Sequence, residues 1–524
     1  MGTIFYNAKF YTLSEPPVAD ALAVERGRIL ALGSLGDVKG LVGTGWRRVD
    51  LGGRTVLPGF QDAHLHLLGF GLVLGRVRLD GARSLSECVR IVAEHARKEP
   101  PGTWIVGKGW NHNIWPEGRL PTRWDLDPVS PQNPVVLSNK DGHSVWANTR
   151  AIREAGISED APEPEGGVIV RDEGGRMTGV FRERAVRLIW RAVPEPSPEE
   201  RVSALLRAQK ELHRMGIVAV HTMEGKECLE ALQELRWREE LRLRTVIYIP
   251  EEAVASAYGL GVRSGFGDEL LRIGGTKLFA DGSLGSQTAA LREPYCGMGD
   301  YRGVLVHEPE ELKGRVVRAS EAGLDVAVHA IGDRAVSLTL DAIEAALPHI
   351  RRYGLRPRIE HAQLVSEEDL LRMARLGVVA SMQPSHAASD RPIAERYWGK
   401  RCSRAYAWRS VSDSGVTLAF GSDAPVEPPD PMFGLYVALT RRDEDGEPPS
   451  GWHPEQRLRL AEALKAYTYG AAFAGRTEKF SGTLEPGKCA DFVVLSDDPF
   501  RLPPEALREV KVEATFFGGE GVFP

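Results

Sequence analysis

The chain has 524 residues, of which 42% are hydrophobic and 26% are charged, as is ordinary for a soluble globular protein. This length is large for one simple domain and fits a large barrel with an appended or inserted domain. The net charge of −6 argues against a surface that binds nucleic acid or anionic membranes, and no apolar run is long enough for a membrane-spanning helix. We therefore expect neither nucleic acid nor a membrane as a partner.

The start of the chain and its cysteines indicate the compartment. The first ten residues, MGTIFYNAKF, lack a basic region followed by an apolar core, so we expect no signal peptide. The five cysteines are scattered and form no C-x-x-C pair, which argues for a reducing compartment and against a disulfide frame or a zinc knuckle. We predict a cytoplasmic protein, with a homodimer as the default assembly because two-fold dimers are the commonest.

Both ends of the chain are rich in predicted strands. Residues 1–54 form short runs of alternating apolar and polar side chains, with hairpin turns predicted at Asn7-Ala8 and Arg26-Gly27. Residues 476–524, which follow a predicted helix, return to the same pattern. We therefore predict a composite β-sandwich made from residues 1–54 and 476–524.

The stretch from 67 to 195 is irregular and rich in proline and tryptophan. It contains a helix-like segment at 84–100, a strand at 103–110 and a hairpin at 166–181 that turns near Gly174-Gly175. We predict that residues 67–195 form an inserted α+β domain that caps the substrate site.

A regular alternation of strands and helices begins at residue 196. A predicted helix with Ser197 as its N-cap precedes seven apolar strand-like runs at 217–223, 243–249, 275–281, 325–332, 357–364, 378–384 and 417–423. Together with the run that ends at His66 they make eight. Alternating units with largely apolar strands indicate a parallel sheet, and eight of them predict a (β/α)₈ TIM barrel formed by residues 55–66 and 196–475.

Six ionisable side chains lie at the ends of these predicted strands: His64, His66, Lys277, His329, His361 and Asp423. In such barrels, reactive groups lie at the carboxyl ends of the strands. In an extended segment His64 and His66 point to the same face, where two imidazoles can bind one divalent cation. Taken singly, each residue fits a buried core histidine, a snorkelling lysine or a turn-capping aspartate. Six at strand ends predict a metal site.

The segments that carry these residues resemble a known family. They are LPGFQDAHLH, TKLFADGSLGSQTA, VHAIGDRA, RIEHAQ and FGSDAPV, followed by GTLEPGKCADFVVL near the end of the chain. They resemble the amidohydrolase superfamily of metal-dependent hydrolases, and within it the branch called amidohydrolase family 3 or YtcJ-like. The resemblance implies a (β/α)₈ barrel with a β-sandwich built from both termini, which agrees with the strand pattern.

The resemblance also implies a divalent metal cofactor, with zinc as the expected ion and one or two ions per chain. The implied ligands are His64, His66 and Asp423 on the more buried ion, His329 and His361 on the second ion, and Lys277 between them. An ammonium group has no lone pair for a metal, so the resemblance implies N6-carboxylysine at Lys277. It also implies that Asp423 acts as general acid and base.

The implied activity is hydrolysis of a C–N bond, of the amide or N-substituted formamide type, in a small molecule. In this mechanism a metal-activated hydroxide attacks the carbonyl carbon. Two alternatives stay open: a deaminase or cyclic amidase with a mononuclear site, and a non-catalytic regulatory binding protein on the same fold. The filled ligand positions disfavour the second alternative, because a decayed site should show gaps.

Two segments of the insert, 109–117 and 141–148, resemble insert segments of the same branch, and we expect them to reach over the barrel mouth. The predicted substrate-binding residues are His143, Trp115, His112 and Trp110, since aromatic walls with a few polar tips are typical of small-ligand pockets. The alternative, that the tryptophans form the core of the insert, is equally consistent with the sequence.

Overall fold

A computed structural model describes residues 2–42, 45–140 and 143–524, and the chain divides into two compact units. One unit comprises the chain up to Gly71 and from Arg201 onward, and the other is Leu72–Glu200. The chain opens with β1 (Thr3–Tyr11), β2 (Val18–Glu25), β3 (Arg28–Gly33), α1 (Leu35–Leu41), β4 (Arg47–Pro58), β5 (Phe60–Leu65) and α2 (Leu67–Leu74). Of the described helices in the chain, none has both the length and the apolar composition needed to cross a bilayer.

The unit Leu72–Glu200 is a mixed sheet with short helices. Its elements are β6 (Val77–Arg78), α3 (Leu85–Ala96), β7 (Ile105–Trp110), α4 (Arg123–Leu126), β8 (Val135–Asn139), β9 (Ser144–Ala147), α5 (Thr149–Glu154), β10 (Gly167–Arg171), β11 (Met177–Glu183) and α6 (Val186–Trp190). The strand order is β10-β11-β9-β8-β7-β6, parallel from β6 to β8 and antiparallel elsewhere. The mixture of strand directions makes this an α+β unit.

The barrel continues after α7 (Pro198–Arg214). This helix begins with the predicted cap, because the Glu200 N–H donates to Ser197 Oγ (3.3 Å) and the Ser197 N–H donates to Glu200 Oε2 (2.7 Å). The following elements are β12 (Ile217–Thr222), α8 (Lys226–Trp237), β13 (Arg244–Pro250), α9 (Val254–Leu260), β14 (Leu271–Phe279), α10 (Pro309–Glu321), β15 (Asp325–Ala330), α11 (Asp333–Ala345), α12 (Leu347–Tyr353), β16 (Arg358–His361), α13 (Glu367–Leu376), β17 (Val379–Met382), α14 (Pro384–Trp398), α15 (Trp408–Asp413), β18 (Leu418–Phe420), α16 (Pro431–Thr440), α17 (Leu460–Lys465) and α18 (Ala471–Ala474).

The eight barrel strands lie in sequence order, from β5 and β12 through to β18, and every neighbouring pair is parallel. The first and last strands meet at a closure seam, which we define as residues 62–66 and 422–424. There the Asp423 N–H donates to the His64 carbonyl (2.7 Å), and the His66 N–H donates to the Ala424 carbonyl (2.8 Å). The buried Asp62 carboxylate accepts hydrogen bonds from Ser422 Oγ (2.5 Å) and from the backbone N–H of His64 (3.0 Å).

The terminal sheet contains strands from both ends of the chain. After β19 (Phe492–Leu495), β20 (Val512–Phe517) and β21 (Glu520–Phe523), its order is β21-β20-β19-β4-β1-β2-β3. On a flat sheet β1 and β20 would lie about 14 Å apart, given the usual spacing between strands. The ring centroids of Phe5 and Phe516 are instead 5.0 Å apart, and each ring also contacts Phe492. The sheet therefore folds over itself and encloses an aromatic core between two layers.

The predicted fold class is confirmed: a (β/α)₈ barrel, a β-sandwich from both termini and an inserted α+β unit after the first barrel strand. The predicted turn at Arg26-Gly27 joins β2 to β3. The turn predicted at Asn7-Ala8 is wrong, because Asn7 lies inside β1, where the pairing with β2 shifts register. Its φ of 55° is typical of a bulge as well as of a turn. The predicted domain ranges remain predictions; β4 runs to Pro58 within the terminal sheet.

Candidate metal centre

The end of the first barrel strand presents two histidines toward one aspartate. The Nδ1–H of His64 donates to Glu360 Oε2 (2.5 Å), which leaves Nε2 directed at Asp423 Oδ1, 3.4 Å away. His66 Nε2 lies 3.4 Å from the same oxygen. The two side chains differ in exposure, since His64 is 1% exposed and His66 is 36% exposed. The His-x-His segment therefore brings two imidazole nitrogens to one carboxylate, as the alternation of a strand predicts.

Asp423 follows β18 and has a left-handed backbone, with φ of 61°. Burial by itself raises the pKa of this carboxyl, but the imidazoles of His64, His66 and His361 hold it well below its usual range. The side chain is therefore a carboxylate at neutral pH. It places a negative charge at the carboxyl end of the barrel, where a carboxylate oxygen can bind a divalent cation.

His361 ends β16 and completes the group. Its Nδ1–H donates to Gln383 Oε1 (2.8 Å), and its ring centroid lies 4.9 Å from that of His64. Among the described residues, one ligand atom each from His64, His361 and Asp423 lies within 4.8 Å of the others, and all three side chains are buried. The structure therefore brings three of the six predicted ligands into one cluster, with His66 on the shared carboxylate.

His329 and Lys277 adjoin this cluster on neighbouring strands. The His329 ring centroid is 4.7 Å from that of His361, and its Nε2–H donates to the Gly282 carbonyl (3.0 Å). Lys277, on β14, is buried and lies 5.0 Å above the Phe279 ring. Burial lowers the pKa of Lys277 to about 8, although Glu360 and Asp423 act in the opposite direction. Its amine therefore titrates nearer neutral pH than an ordinary lysine.

The chemistry of these groups fits a divalent cation. Burial lowers the pKa of His64 to about 4 and that of His361 well below its ordinary value, so both imidazoles are neutral near pH 7. Each uses Nδ1 as a donor to an oxygen acceptor, which fixes the tautomer and leaves the Nε2 lone pair available. Two neutral imidazoles and a carboxylate are ordinary ligands of zinc and related ions.

A buried ion pair supports His64 from inside the barrel. Glu360, which accepts from His64, also accepts two hydrogen bonds from Arg358, and both side chains are fully buried. The remaining guanidinium contacts are His221 Nδ1 (2.8 Å), Tyr248 Oη (3.3 Å), the Ala63 carbonyl (2.6 Å) and Ser381 Oγ (2.6 Å). The prediction from the sequence missed this pair, although two charges that alternate with Ile359 and His361 in an apolar strand are a signal for it.

A further histidine, His386, was also missed. It lies in the first turn of α14, with Nε2 3.9 Å from Asp423 Oδ2, and its ring is parallel to that of His361 at 6.1 Å between centroids. The predicted ligands all lie at strand ends, whereas His386 lies in a helix that begins at Pro384. In the sequence, no signal distinguishes it from a helical surface residue.

The predicted substrate-binding residues all belong to the unit Leu72–Glu200. Trp110 and Trp115 are buried in its hydrophobic core, and the Trp110 indole N–H donates to the Leu137 carbonyl (2.8 Å). The His112 ring lies 5.9 Å from that of Trp110, and the exposed His143 has Nδ1 3.3 Å from Glu183 Oε2. In the predicted segment 141–148, residues 141 and 142 lie outside the described residues. The substrate contacts remain predictions.

Comparison with known proteins identifies the family. The sequence profile described as "Amidohydrolase family" matches residues 47–523. The chain belongs to the amidohydrolase family. The resemblance inferred from the motifs is therefore confirmed.

Three relatives of this amidohydrolase are similar over almost their whole length. The putative amidohydrolase YtcJ of Bacillus subtilis is 35% identical, with 100% of this chain and 99% of the relative covered. The N-substituted formamide deformylase of Arthrobacter pascens is 30% identical, with 96% and 94% covered. The crystal structure of an uncharacterized metal-dependent hydrolase from Pyrococcus horikoshii is 31% identical, with a TM-score of 0.78 and 96% and 99% covered. The family and these similar proteins support the assignment of this chain as a hydrolase.

Proposed function

We propose that this amidohydrolase is a metal-dependent enzyme that cleaves the C–N bond of a small-molecule carboxamide. The observation that carries the proposal is the convergence of His64, His361 and Asp423 within 4.8 Å at the carboxyl end of the barrel. The relative named N-substituted formamide deformylase makes N-substituted formamides the first substrates to test.

The proposed ligands are the six residues predicted from the sequence: His64, His66, Lys277, His329, His361 and Asp423. When bound, a divalent cation supplies Lewis acidity, which can lower the pKa of a coordinated water from 15.7 to about 7. We propose zinc as the ion, because imidazole and carboxylate ligands in a buried site suit it. The carboxylate–imidazole bond between Glu360 and His64 keeps the His64 tautomer ready for this ligation.

Asp423 is the proposed general acid and base. Its carboxylate is ionised because the neighbouring imidazoles hold its pKa low, so it can accept a proton from the attacking water. It then delivers this proton to the leaving nitrogen, so that the amine departs as the C–N bond breaks. Asp423 has a left-handed backbone, and its N–H donates a hydrogen bond to the His64 carbonyl. These two features fix the position of the carboxylate at the closure seam.

Lys277 is the proposed site of N-carboxylation. The reaction joins the free amine to carbon dioxide with release of one proton, and it needs the unprotonated amine. Burial lowers the Lys277 pKa to about 8, so a useful fraction of the amine is free near neutral pH. The resulting carbamate is an anion with two oxygens that can bind a metal. It would take the place of a buried ammonium group beside the imidazole cluster.

The substrate is proposed to be small. A cavity of about 310 Å³ opens beside Lys277 at the ends of β12, β13 and β14. Its apolar lining includes Met223, Tyr248, Phe279 and Val306. Phe279 and Val306 are nearly half exposed, so the cavity offers apolar surface to an N-substituent or an acyl group.

The first experiment combines metal content and turnover. We expect purified protein to hold one or two equivalents of a divalent ion by elemental mass spectrometry, and to release amine from a panel of formamides and carboxamides. Removal of the ion with a chelator should abolish release, and zinc, manganese or cobalt should restore it. Inactivity across the panel with a fully loaded metal site would contradict the proposal.

A second candidate is a deaminase or cyclic amidase with a single ion. It is favoured by the single compact group of ligand atoms among the described residues, together with the donation of His329 Nε2–H to a backbone carbonyl. One equivalent of metal, with release of ammonia from amino-substituted heterocycles or ring opening of cyclic amides, would select this candidate.

A further inference from the structure

His386 has a buried nitrogen that the proposed reaction does not use. The side chain is 7% exposed, and among the described residues Nε2 has no hydrogen-bond partner. Buried polar atoms are almost always paired, and an unpaired one weakens the folded state. This nitrogen lies at the edge of the proposed reaction centre, 3.9 Å from Asp423 Oδ2, where it can accept a hydrogen bond from a ligand.

The distance from His386 to Asp423 fits one shared atom between them. Nε2 and Asp423 Oδ2 are 3.9 Å apart, which is too long for a direct hydrogen bond. A polar atom of a ligand at about 2.8 Å from each could form a hydrogen bond with both His386 Nε2 and Asp423 Oδ2. The His386 ring lies parallel to that of His361, with 10° between the planes, and Gln383 at the start of the same helix accepts a hydrogen bond from His361.

We infer that His386 is a further catalytic residue, whose Nε2 accepts the N–H of the scissile amide. The inference rests on the proposed function, because Asp423 must deliver a proton to that same nitrogen. When water adds to the carbonyl carbon, the amide nitrogen becomes pyramidal, and its lone pair, until then delocalised into the carbonyl, becomes localised on the nitrogen. With its N–H bonded to His386, this lone pair turns toward Asp423, which donates the proton as the C–N bond breaks. His386 keeps its own proton and forms no covalent bond.

The inference predicts a preference for carboxamides whose nitrogen carries a hydrogen. An N,N-disubstituted amide has no N–H to donate, so it leaves His386 unpaired and its nitrogen lone pair unoriented. Sites built to pair with a substrate N–H discriminate strongly against an analogue that lacks it. Formanilide and N-methylformanilide are a suitable first pair, since the second carries a methyl group in place of this hydrogen.

The decisive experiment compares two variants of nearly equal size. His386→Gln keeps a side-chain oxygen that can accept the N–H, and His386→Met removes the acceptor. We expect His386→Met to lower kcat/KM for formanilide by about 10- to 100-fold and to leave N-methylformanilide within about threefold of wild type. His386→Gln should keep most of the activity on formanilide. Metal content should be equal in all three proteins.

Ser389→Ala, one turn further along α14, is the matched control and should match wild type on both substrates. If His386→Met does not fold, His386→Ala should show the same selective loss, with thermal melting to check the fold. An equal loss on both substrates, no loss on formanilide, or loss of bound metal would overturn the role of His386. An inert wild-type protein would instead overturn the proposed function and this inference with it.

Discussion

Replacing Glu360 by glutamine removes a buried negative charge while keeping the shape of the side chain. Glu360 lies between Arg358, which donates two hydrogen bonds to it, and His64, whose Nδ1–H donates to it at 2.5 Å. After the substitution the fully buried guanidinium retains only neutral partners. Breaking a buried ion pair by removing one partner typically costs about 3–5 kcal/mol, because the other charge is left uncompensated.

The same change weakens the support of a proposed metal ligand. The glutamine oxygen can still accept from His64, but a neutral acceptor makes the imidazole a weaker base than a carboxylate does. Loss of such a partner typically lowers metal affinity by about 10- to 100-fold. Glu360→Gln should therefore lower the melting temperature of the metal-free protein. It should also lower the affinity of the site for a divalent metal ion.

The two effects are measured separately. Calorimetry in excess chelator reports the melting temperature without metal, and competition with a chromophoric chelator reports the affinity. The control is Asp268→Asn at the exposed pair with Arg236 (2.9 Å), where we expect a change of about 0–1 kcal/mol. The double variant Arg358→Met/Glu360→Met removes both members of the ion pair, so it should melt above Glu360→Gln, which leaves the Arg358 charge without its carboxylate. If Glu360→Gln melts and binds metal like Asp268→Asn, the reasoning is refuted.

Three further predictions concern single residues. Asp423→Asn should keep most of its metal yet lower kcat about 10²- to 10⁴-fold, because the proton carrier is lost; turnover near wild type would exclude the role. Lys277→Met should lose one metal equivalent if a carbamate bridges two ions, and unchanged metal content would argue for a mononuclear site. Burial lowers the pKa of His213 to about 4 from its ordinary 6.5, so only the unfolded state takes up this proton as the pH falls from 6.5 to 4. Stability is lost over that window, and His213→Gln should make the melting temperature fall less than in wild type; an equal fall would contradict the shift.

The barrel was predictable because its parallel strands are buried on both faces and read as continuous apolar runs. Within that frame the rule that reactive groups lie at strand ends was enough to select His64, His361 and Asp423. The strand-end rule does not select His386, because the position of this residue depends on where α14 starts relative to the barrel mouth. Asn7 was misassigned because a left-handed residue suits a bulge as well as a turn, and only the pairing partner distinguishes them.

The unit Leu72–Glu200 shows a second limit of prediction. Tryptophans in a proline-rich stretch fit both a ligand wall and a small hydrophobic core, because both environments are apolar with a few polar partners. Trp110 is in the core of its unit and pairs its indole N–H with a backbone carbonyl. Composition alone does not separate these environments, because the difference lies in which neighbours surround each ring.

The closure seam has a consequence for how the protein is made. His64 is on the first barrel strand and Asp423 follows the last, so the ribosome releases them far apart in time. Until β18 has docked against β5, the Asp423 carboxylate is not beside His64 Nε2, and Asp62 lacks the hydroxyl of Ser422. A nascent chain therefore offers this centre only after every barrel strand has emerged. Occupancy by the proposed ion would mark a finished barrel, because fragments that stop before the last strand lack the Asp423 carboxylate.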